Sequence, residues 1–414
     1  MLSLAAVTMS AQKNPVKYNF TEASDLTMVG KLMTDTPNPY HRVDTVKFKG
    51  FTAGENKQVR MSAGLSVAFR TDSKTITVKT KYLDRGFPVN TGGLAARGYD
   101  LYIKKDGKWL WAASKVTHDQ KPDDNVVLIG NLDGSMHECL MYLPILSEEK
   151  SIQIGVNEGA VIEAIDNPFR HRIGIFGSSF THGISTSRAG MSYPDQLSRM
   201  TGLQFLSLGC SGNCKLQPYF ADVLCAADVD AFVFDSFSNP TPEQIKERLF
   251  PFIEKLQAAH PGIPLIFQHS IYRERRNFDH STDKSEQAKA DMADSLMRKH
   301  TCHHAAEYDR LFAGIGINAL ALLHYALVKR IDLRIKQCRV GKIGGKDVFS
   351  AERIEQLHRS AGIGLGVQEH INIGTRYAGV CISAVRNAQK LFLRVLGCDN
   401  RPARKVFVLP RDII

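Results

Sequence analysis

From residue 43 to residue 160 apolar and polar positions alternate at period two. Val46 and Phe48 stand against Lys47 and Lys49, and Ile76, Val78 and Tyr82 against Thr77, Lys79 and Lys81. That alternation predicts antiparallel strands with one buried face. Asp106-Gly107, in LYIKKDGKWLWAA, and Asp133-Gly134 each interrupt a pair of such runs, which predicts two hairpins. The region closes at KSIQIGV, and NEGAVIEAIDNPFRH reads as a linker. An antiparallel β-sandwich over residues 15–160 is the expectation.

Past residue 168 the texture changes to short continuous apolar runs separated by helical patterns. RIGIFGSSFTHG (172–183), LQFLSLGCSGN (203–213), VDAFVFDSFSN (229–239) and IPLIFQHSIY (263–272) read as buried parallel strands. Between the third and fourth, Thr241 precedes Pro242 and stands three residues before Gln244, a capping-box start. Ile245, Leu249, Ile253 and Leu256 then recur at helical spacing, with Pro251 predicted to kink the helix. A further helix is predicted over 285–300. Alternating strands and helices over 168–300 predict an αβα layering around a parallel sheet.

Three of these strands end in residues that suit acyl transfer. The first delivers Ser178 or Ser179 to the carboxyl edge of the sheet, where open α/β folds place their chemistry. The same residues also suit a strand-to-helix turn, with Gly177 supplying backbone freedom and the serines capping a helix. The second strand ends in Gly209, Ser211, Gly212 and Asn213, and the third on Asn239. A serine hydroxyl, an aimed backbone N–H and an asparagine amide together make a nucleophile with donors for a tetrahedral oxyanion.

GSSFTHG, CSGN and DSFSN resemble the first, second and third blocks of the SGNH (GDSL-like) hydrolases. ARGYDLYIKKDGKW is similar to the GxDLY segment of the N-terminal domain that accompanies the GSS-type bacterial subgroup. The resemblance covers about residues 15–300. It implies a flavodoxin-like αβα hydrolase domain behind the β-sandwich, Ser179 as nucleophile, and the N–H groups of Ser179 and Gly212 with the Asn239 side chain as oxyanion hole. It also implies an ester substrate, with short acyl groups such as acetyl on carbohydrate, and no cofactor or metal. Trp109, Trp111, Tyr99 and Tyr102 are candidates to stack on a sugar or to fill the sandwich core.

The general base is not identifiable. The family completes its site with D-x-x-H followed by Pro, and no such block occurs in the chain. Glu355 with His358 is the nearest approach, and it lacks the preceding strand and the following proline; His182, three residues past Ser179, is a candidate substitute base that reads better as lining the pocket, and His269 and His280 are further candidates without a supporting pattern. A catalytically impaired protein that binds glycan is therefore the alternative to an active esterase.

Residues 301–414 differ from what precedes them. They hold 18 of the lysines and arginines against nine acidic residues, and so carry most of the net charge of +11. The part before them has no nucleic-acid signature. They also contain half of the eight cysteines, none of which forms a CxxC pair. An extra domain, a diverged tail and a frame-shifted continuation are the three readings of this basic tail, and the third fits best. The cluster KHTCHH is too compact for a closed metal site. The run 311–328 is 18 residues without a formal charge, flanked by Arg310 and by Lys329-Arg330; it reads as a buried helix rather than a membrane span. Residues 1–12 look like the end of a secretory leader, which predicts a periplasmic or secreted protein.

Overall fold

The computed structural model describes residues 16–86, 89–117 and 124–303, and beyond these the backbone of three strand triplets. The chain divides into two compact units. The first comprises Met1–Asp44, Lys57–Arg170 and Gly183–Ser192; the second comprises Thr45–Asn56, His171–His182 and Tyr193–Ile414.

Among the described residues the first unit has ten strands: β1 (Tyr18–Glu22), β2 (Thr27–Val29), β3 (Ser66–Thr71), β4 (Ile76–Arg85), β5 (Gly98–Lys105), β6 (Lys108–Val116), β7 (Val126–Ile129), β8 (His137–Tyr142), β9 (Ser147–Asn157) and β10 (Ile162–Ala164); the short helices α1 (Ala53–Arg60) and α2 (Gly93–Ala96) precede β3 and β5 in the chain. One sheet has the order β1-β9-β4-β7; the other has β10-β3-β8-β5-β6, with β2 also paired to β3. The paired strands run antiparallel. Ile76, Val78, Leu128, Ile152 and Ile154 of the first sheet meet Val67, Phe69, Leu101, Cys139 and Met141 of the second in one buried cluster. This is the predicted sandwich, and period-two burial is its cause.

Two local expectations in this unit fare differently. Asp106 and Gly107 join β5 to β6 with φ of 50° and 72°, the paired left-handed conformations that a two-residue hairpin turn requires. Gly134 is likewise left-handed, at 83°, but β7 and β8 on either side of it lie in different sheets. Here Asp133 Oδ1 accepts from the Ser135 N–H (2.8 Å) and hydroxyl (2.7 Å), so the turn chemistry is real while the hairpin is not. A turn bends the chain locally; long-range pairing decides which sheet the next strand joins. The alternating stretch around Val46 and Phe48 is turn and coil, with Val46 69% exposed.

The second unit carries β11 (Arg170–Gly177), the single turn α3 (Ser179–His182), α4 (Tyr193–Thr201), β12 (Leu203–Gly209), α5 (Pro218–Cys225), β13 (Ala231–Asp235), α6 (Pro242–Ala259), β14 (Leu265–Phe267) and α7 (His280–His303). The sheet order is β12-β11-β13-β14, with the triplet Val406–Val408 in parallel register beyond β14. Its strands are parallel, as predicted. On one face Ile173, Ile175, Ala231 and Val233 pack with Leu197 of α4. On the other, Phe176 packs at a tilt against Phe220 of α5 (4.8 Å between ring centroids), and Phe234 meets Phe252 of α6 (5.5 Å) and Phe267 of β14 (4.6 Å). Alternating residues of continuous apolar strands thus feed two helical layers.

The capping box of α6 is present: Gln244 N–H donates to Thr241 Oγ1 (3.2 Å) and Thr241 N–H to Gln244 Oε1 (3.1 Å). The helix runs on through Pro251 to Ala259. β14 is three residues long where the apolar run suggested ten, and α7 begins at His280, five residues earlier than predicted, where Asp279 Oδ1 accepts the Thr282 N–H (3.0 Å). The leader-like residues 1–12, the apolar run 311–328, and Glu355 with His358 lie outside the described residues. Among the described residues no helix is long and apolar enough to cross a membrane.

One ionisable group in the first unit stands out energetically. Glu149 of β9 is fully buried, and neither carboxylate oxygen has a geometrically sound hydrogen bond among the described residues; the nearby Ser62 hydroxyl donates to the Pro144 carbonyl (2.8 Å). Burial pushes its carboxyl up to about 8, chiefly by denying the charged form its water. The folded chain therefore holds this proton more tightly than the unfolded chain does. Its contribution is complete below the ordinary carboxylate range and is lost as pH rises through about 8, at up to ~1.4 kcal/mol per pH unit. We expect Glu149→Gln to gain stability over the wild type progressively from about pH 4.5 to about pH 8, measured as the difference between their urea midpoints. A constant difference across that window would mean that Glu149 ionises normally.

Candidate active site

β11 lies between β12 on one side and β13 on the other, so the chain leaves it in opposite directions. The carboxyl end of such a strand is the switch point at which an open sheet forms its crevice. Gly177 ends β11 opposite Asp235, the last residue of β13. A Cβ at Gly177 would overlap the Thr181 hydroxyl and approach Asp235 Cβ at 3.0 Å, so only glycine lets α3 fold back over the strand end.

The two serines that follow have separate roles. Ser178 is fully buried; its Oγ donates to Asp235 Oδ2 (2.7 Å) and accepts from the Phe180 N–H (3.3 Å), which makes it the cap of α3. Its N–H also donates to Asp235 Oδ2 (3.3 Å), and Thr181 Oγ1 donates to the same oxygen (3.0 Å) while pairing with the Tyr193 hydroxyl (2.8 Å). Burial raises the Asp235 carboxyl above its ordinary range even though these donors oppose the shift. Ser179, the first residue of α3, is only partly buried and its Oγ makes no hydrogen bond among the described residues. The capping role thus falls to Ser178 alone, and Ser179 is the serine whose hydroxyl makes no hydrogen bond among the described residues.

His182 ends α3 and is buried. Its Nδ1 accepts the Ser211 N–H (3.4 Å), so the imidazole faces the loop that carries Gly212. A Cβ at Gly209 would overlap the backbone nitrogen and Cα of His182; the missing side chain lets the end of β12 lie directly against α3. Gly212 itself is exposed at φ 73°, in the turn after β12.

Asn239 follows β13 and is partly buried. Cys214 N–H donates to its Oδ1 (3.4 Å), and because a backbone N–H can only donate, the amide is turned with its NH2 away from that contact. The residue before it is braced from α7: the nearly buried Lys289 ammonium donates to the Ser238 carbonyl (2.9 Å) and to Glu286 Oε1 (2.7 Å), and Glu286 in turn faces Arg273 at 3.5 Å. Neither Asp235 nor this brace was expected from the sequence. A single acidic residue closing an apolar strand, FVFD, was the available signal for the first; for the second there was none.

Ser179, Gly212 and Asn239 thus follow the carboxyl ends of three adjacent strands, with the serine on the middle one. Of the other histidines, His269 follows β14 and pairs with Asp294 of α7 at 3.4 Å, and His280 is exposed at the start of α7. No described histidine hydrogen-bonds to Ser179. Among the described residues no cluster of three or more metal-ligating side chains occurs.

This fold and this sheet edge define an SGNH-type α/β hydrolase. Residues 17–162 match the GxDLY family, the N-terminus of SGNH-hydrolase-type esterases, and residues 170–312 match the GDSL-like lipase/acylhydrolase family. A structure from Bacteroides ovatus described as a GDSL-like lipase shares 35% identity and a TM-score of 0.66, over 70% of this chain and 85% of that one. The chain belongs to the GDSL-like hydrolase family. The salicylyl-acyltransferase of a tetracycline biosynthetic pathway shares the fold, at 18% identity and a TM-score of 0.52 over 68% of this chain and 82% of its own. A family two carbohydrate esterase from Cellvibrio japonicus stands at 12% identity and 0.46, over 70% and 86%. No functionally curated protein matches the sequence.

The close approach at Gly209 is directly testable. Gly209→Ala places a methyl group against peptide backbone, which cannot swing aside as a side chain would. We expect a loss of about 2–3 kcal/mol or more in urea unfolding, with α3 displaced. An unchanged midpoint would show that β12 and α3 are not held at this separation.

Proposed function

We propose that this chain is a serine ester hydrolase that removes acetyl or similar short acyl groups from carbohydrate outside the cytoplasm. The observation that carries the reading is the division of labour in GSS: Asp235 occupies Ser178, and Ser179 is left with an unengaged hydroxyl on the middle strand of three. Ser179 Oγ attacks the ester carbonyl carbon, the alcohol leaves, and water then cleaves the acyl-enzyme. The tetrahedral oxyanion takes hydrogen bonds from the N–H groups of Ser179 and Gly212 and from the Asn239 amide, whose NH2 the Cys214 contact leaves free to donate. The left-handed turn at Gly212 suits a backbone N–H aimed at such a group. The base that receives the Ser179 proton is unassigned among the described residues. Export is part of the proposal and rests on the leader-like residues 1–12.

The second reading, a glycan-binding protein without turnover, is favoured by one observation: no described imidazole reaches Ser179. Hydrolysis of a short-chain aryl acetate separates the two. Esterase activity predicts that Ser179→Ala lowers kcat to the uncatalysed background and that Asn239→Ala costs about 10²–10³ in kcat with little change in KM. Equal rates for wild type and Ser179→Ala would overturn catalysis and leave the binding reading.

A further inference from the structure

The four aromatic residues weighed for sugar contact separate cleanly in the first unit. Tyr99 is buried between the two sheets, Tyr102 is buried in the cluster on the outer face of the second sheet, and Trp109 packs against that cluster. Trp111 is 54% exposed. It sits at a β-bulge: Leu101 pairs with Ala113 and Tyr102 with Trp111, so Ala112 is the extra residue. Bulges re-aim the side chains beside them.

The exposed ring is also held still. Trp111 Nε1 donates to Ser114 Oγ (3.1 Å), and Ser114 donates onward to Asp100 Oδ1 (2.6 Å). The Arg188 guanidinium lies 4.8 Å from the ring centroid while its Nε donates to Asp100 Oδ1 (3.1 Å) and a terminal nitrogen to the Tyr102 hydroxyl (3.2 Å). Asp100 is fully buried and its second oxygen accepts the Gly190 N–H (3.0 Å). Side-chain freedom has been removed from an aromatic surface before any ligand arrives, which is how binding sites lower the entropy of association. With one face against Arg188 and over half the residue in solvent, the opposite face of the indole is open.

We propose that Trp111 is a carbohydrate-stacking platform, positioned by Asp100 through Ser114 and Arg188. This rests on the reading of the chain as an esterase of acylated carbohydrate and assigns the first unit a carbohydrate-binding surface of its own. A pyranose offers an apolar C–H face to the indole and hydroxyls to a polar surround, and this face of the sheet carries polar groups: Ser114, bonded to Asp100, and the Lys104–Glu138 ion pair. An apolar protein surface or an acyl chain would need a continuous apolar patch, which these neighbours interrupt.

The chain has two tryptophans, so Trp109→Phe leaves Trp111 as the sole indole reporter. In the full chain carrying Trp109→Phe and Ser179→Ala, titration with cellohexaose, xylohexaose and mannohexaose is expected to shift the indole emission saturably at millimolar sugar for at least one of them. By calorimetry, Trp111→Ala is expected to weaken that binding about tenfold or more, with Trp111→Tyr retaining part of it. Asp100→Asn is expected to weaken it as well, since the ring then loses its anchor. No saturable shift with any of the three sugars, or equal binding by Trp111→Ala, overturns the platform. Aryl acetate turnover without sugar binding removes the platform and leaves the hydrolase; sugar binding without turnover does the reverse.

Discussion

The sheet edge depends on one buried carboxylate. Asp235 Oδ2 gathers the Ser178 N–H, the Ser178 hydroxyl and the Thr181 hydroxyl, and so ties both ends of a four-residue helix to the end of the neighbouring strand. An unpartnered carboxylate at that depth would cost several kcal/mol; three donors on one oxygen make its burial tolerable. The consequence for chemistry is indirect. Because Ser178 is spent on Asp235, the adjacent hydroxyl is the one turned outward, and because α3 is pinned, it starts from a fixed place. Gly177 and Gly209 serve the same end by subtraction, since a Cβ at either would push α3 off the strands.

Asp100 repeats this device in the other unit. It is a buried acid with several donors, and it holds Arg188, Gly190 and, through Ser114, Trp111. At Glu149 burial outweighs everything that would favour the charged form, and the carboxyl is pushed up to about 8. The three acids separate two uses of a buried carboxylate. Where donors converge on it, the acid organises the segment around it; where burial dominates, as at Glu149, it holds its proton to higher pH and makes stability depend on pH.

Much of this was legible in the residues. The antiparallel and parallel halves follow from a change in hydrophobic period, from strict alternation before residue 160 to continuous runs after 168, because one sheet buries each strand on one side and the other buries it on two. The Asp106-Gly107 hairpin and the Thr241 capping box were readable because each is closed by bonds between residues a few positions apart. Val46 to Lys49 alternates as well as any strand, yet it folds as turn and coil, because strand formation is a property of the whole sheet and not of the alternation alone. Asp133-Gly134 turns as written but passes between sheets for the same reason.

For the site, the sequence by itself determined which residue types close each strand: a Gly-Ser-Ser, a Ser-Gly-Asn and a Ser-Asn at three apolar run ends. Those are local facts, set by composition and order along the chain. Only the tertiary structure decided which serine is free, which way the Asn239 amide turns, and which of four aromatic rings reaches water. Each of these turns on a partner distant in sequence, Asp235 for Ser178, Cys214 for Asn239, Arg188 and Asp100 for Trp111. A hydrogen bond across 25 to 90 residues leaves no periodicity to read, because its geometry exists only once the sheets have brought the two groups together.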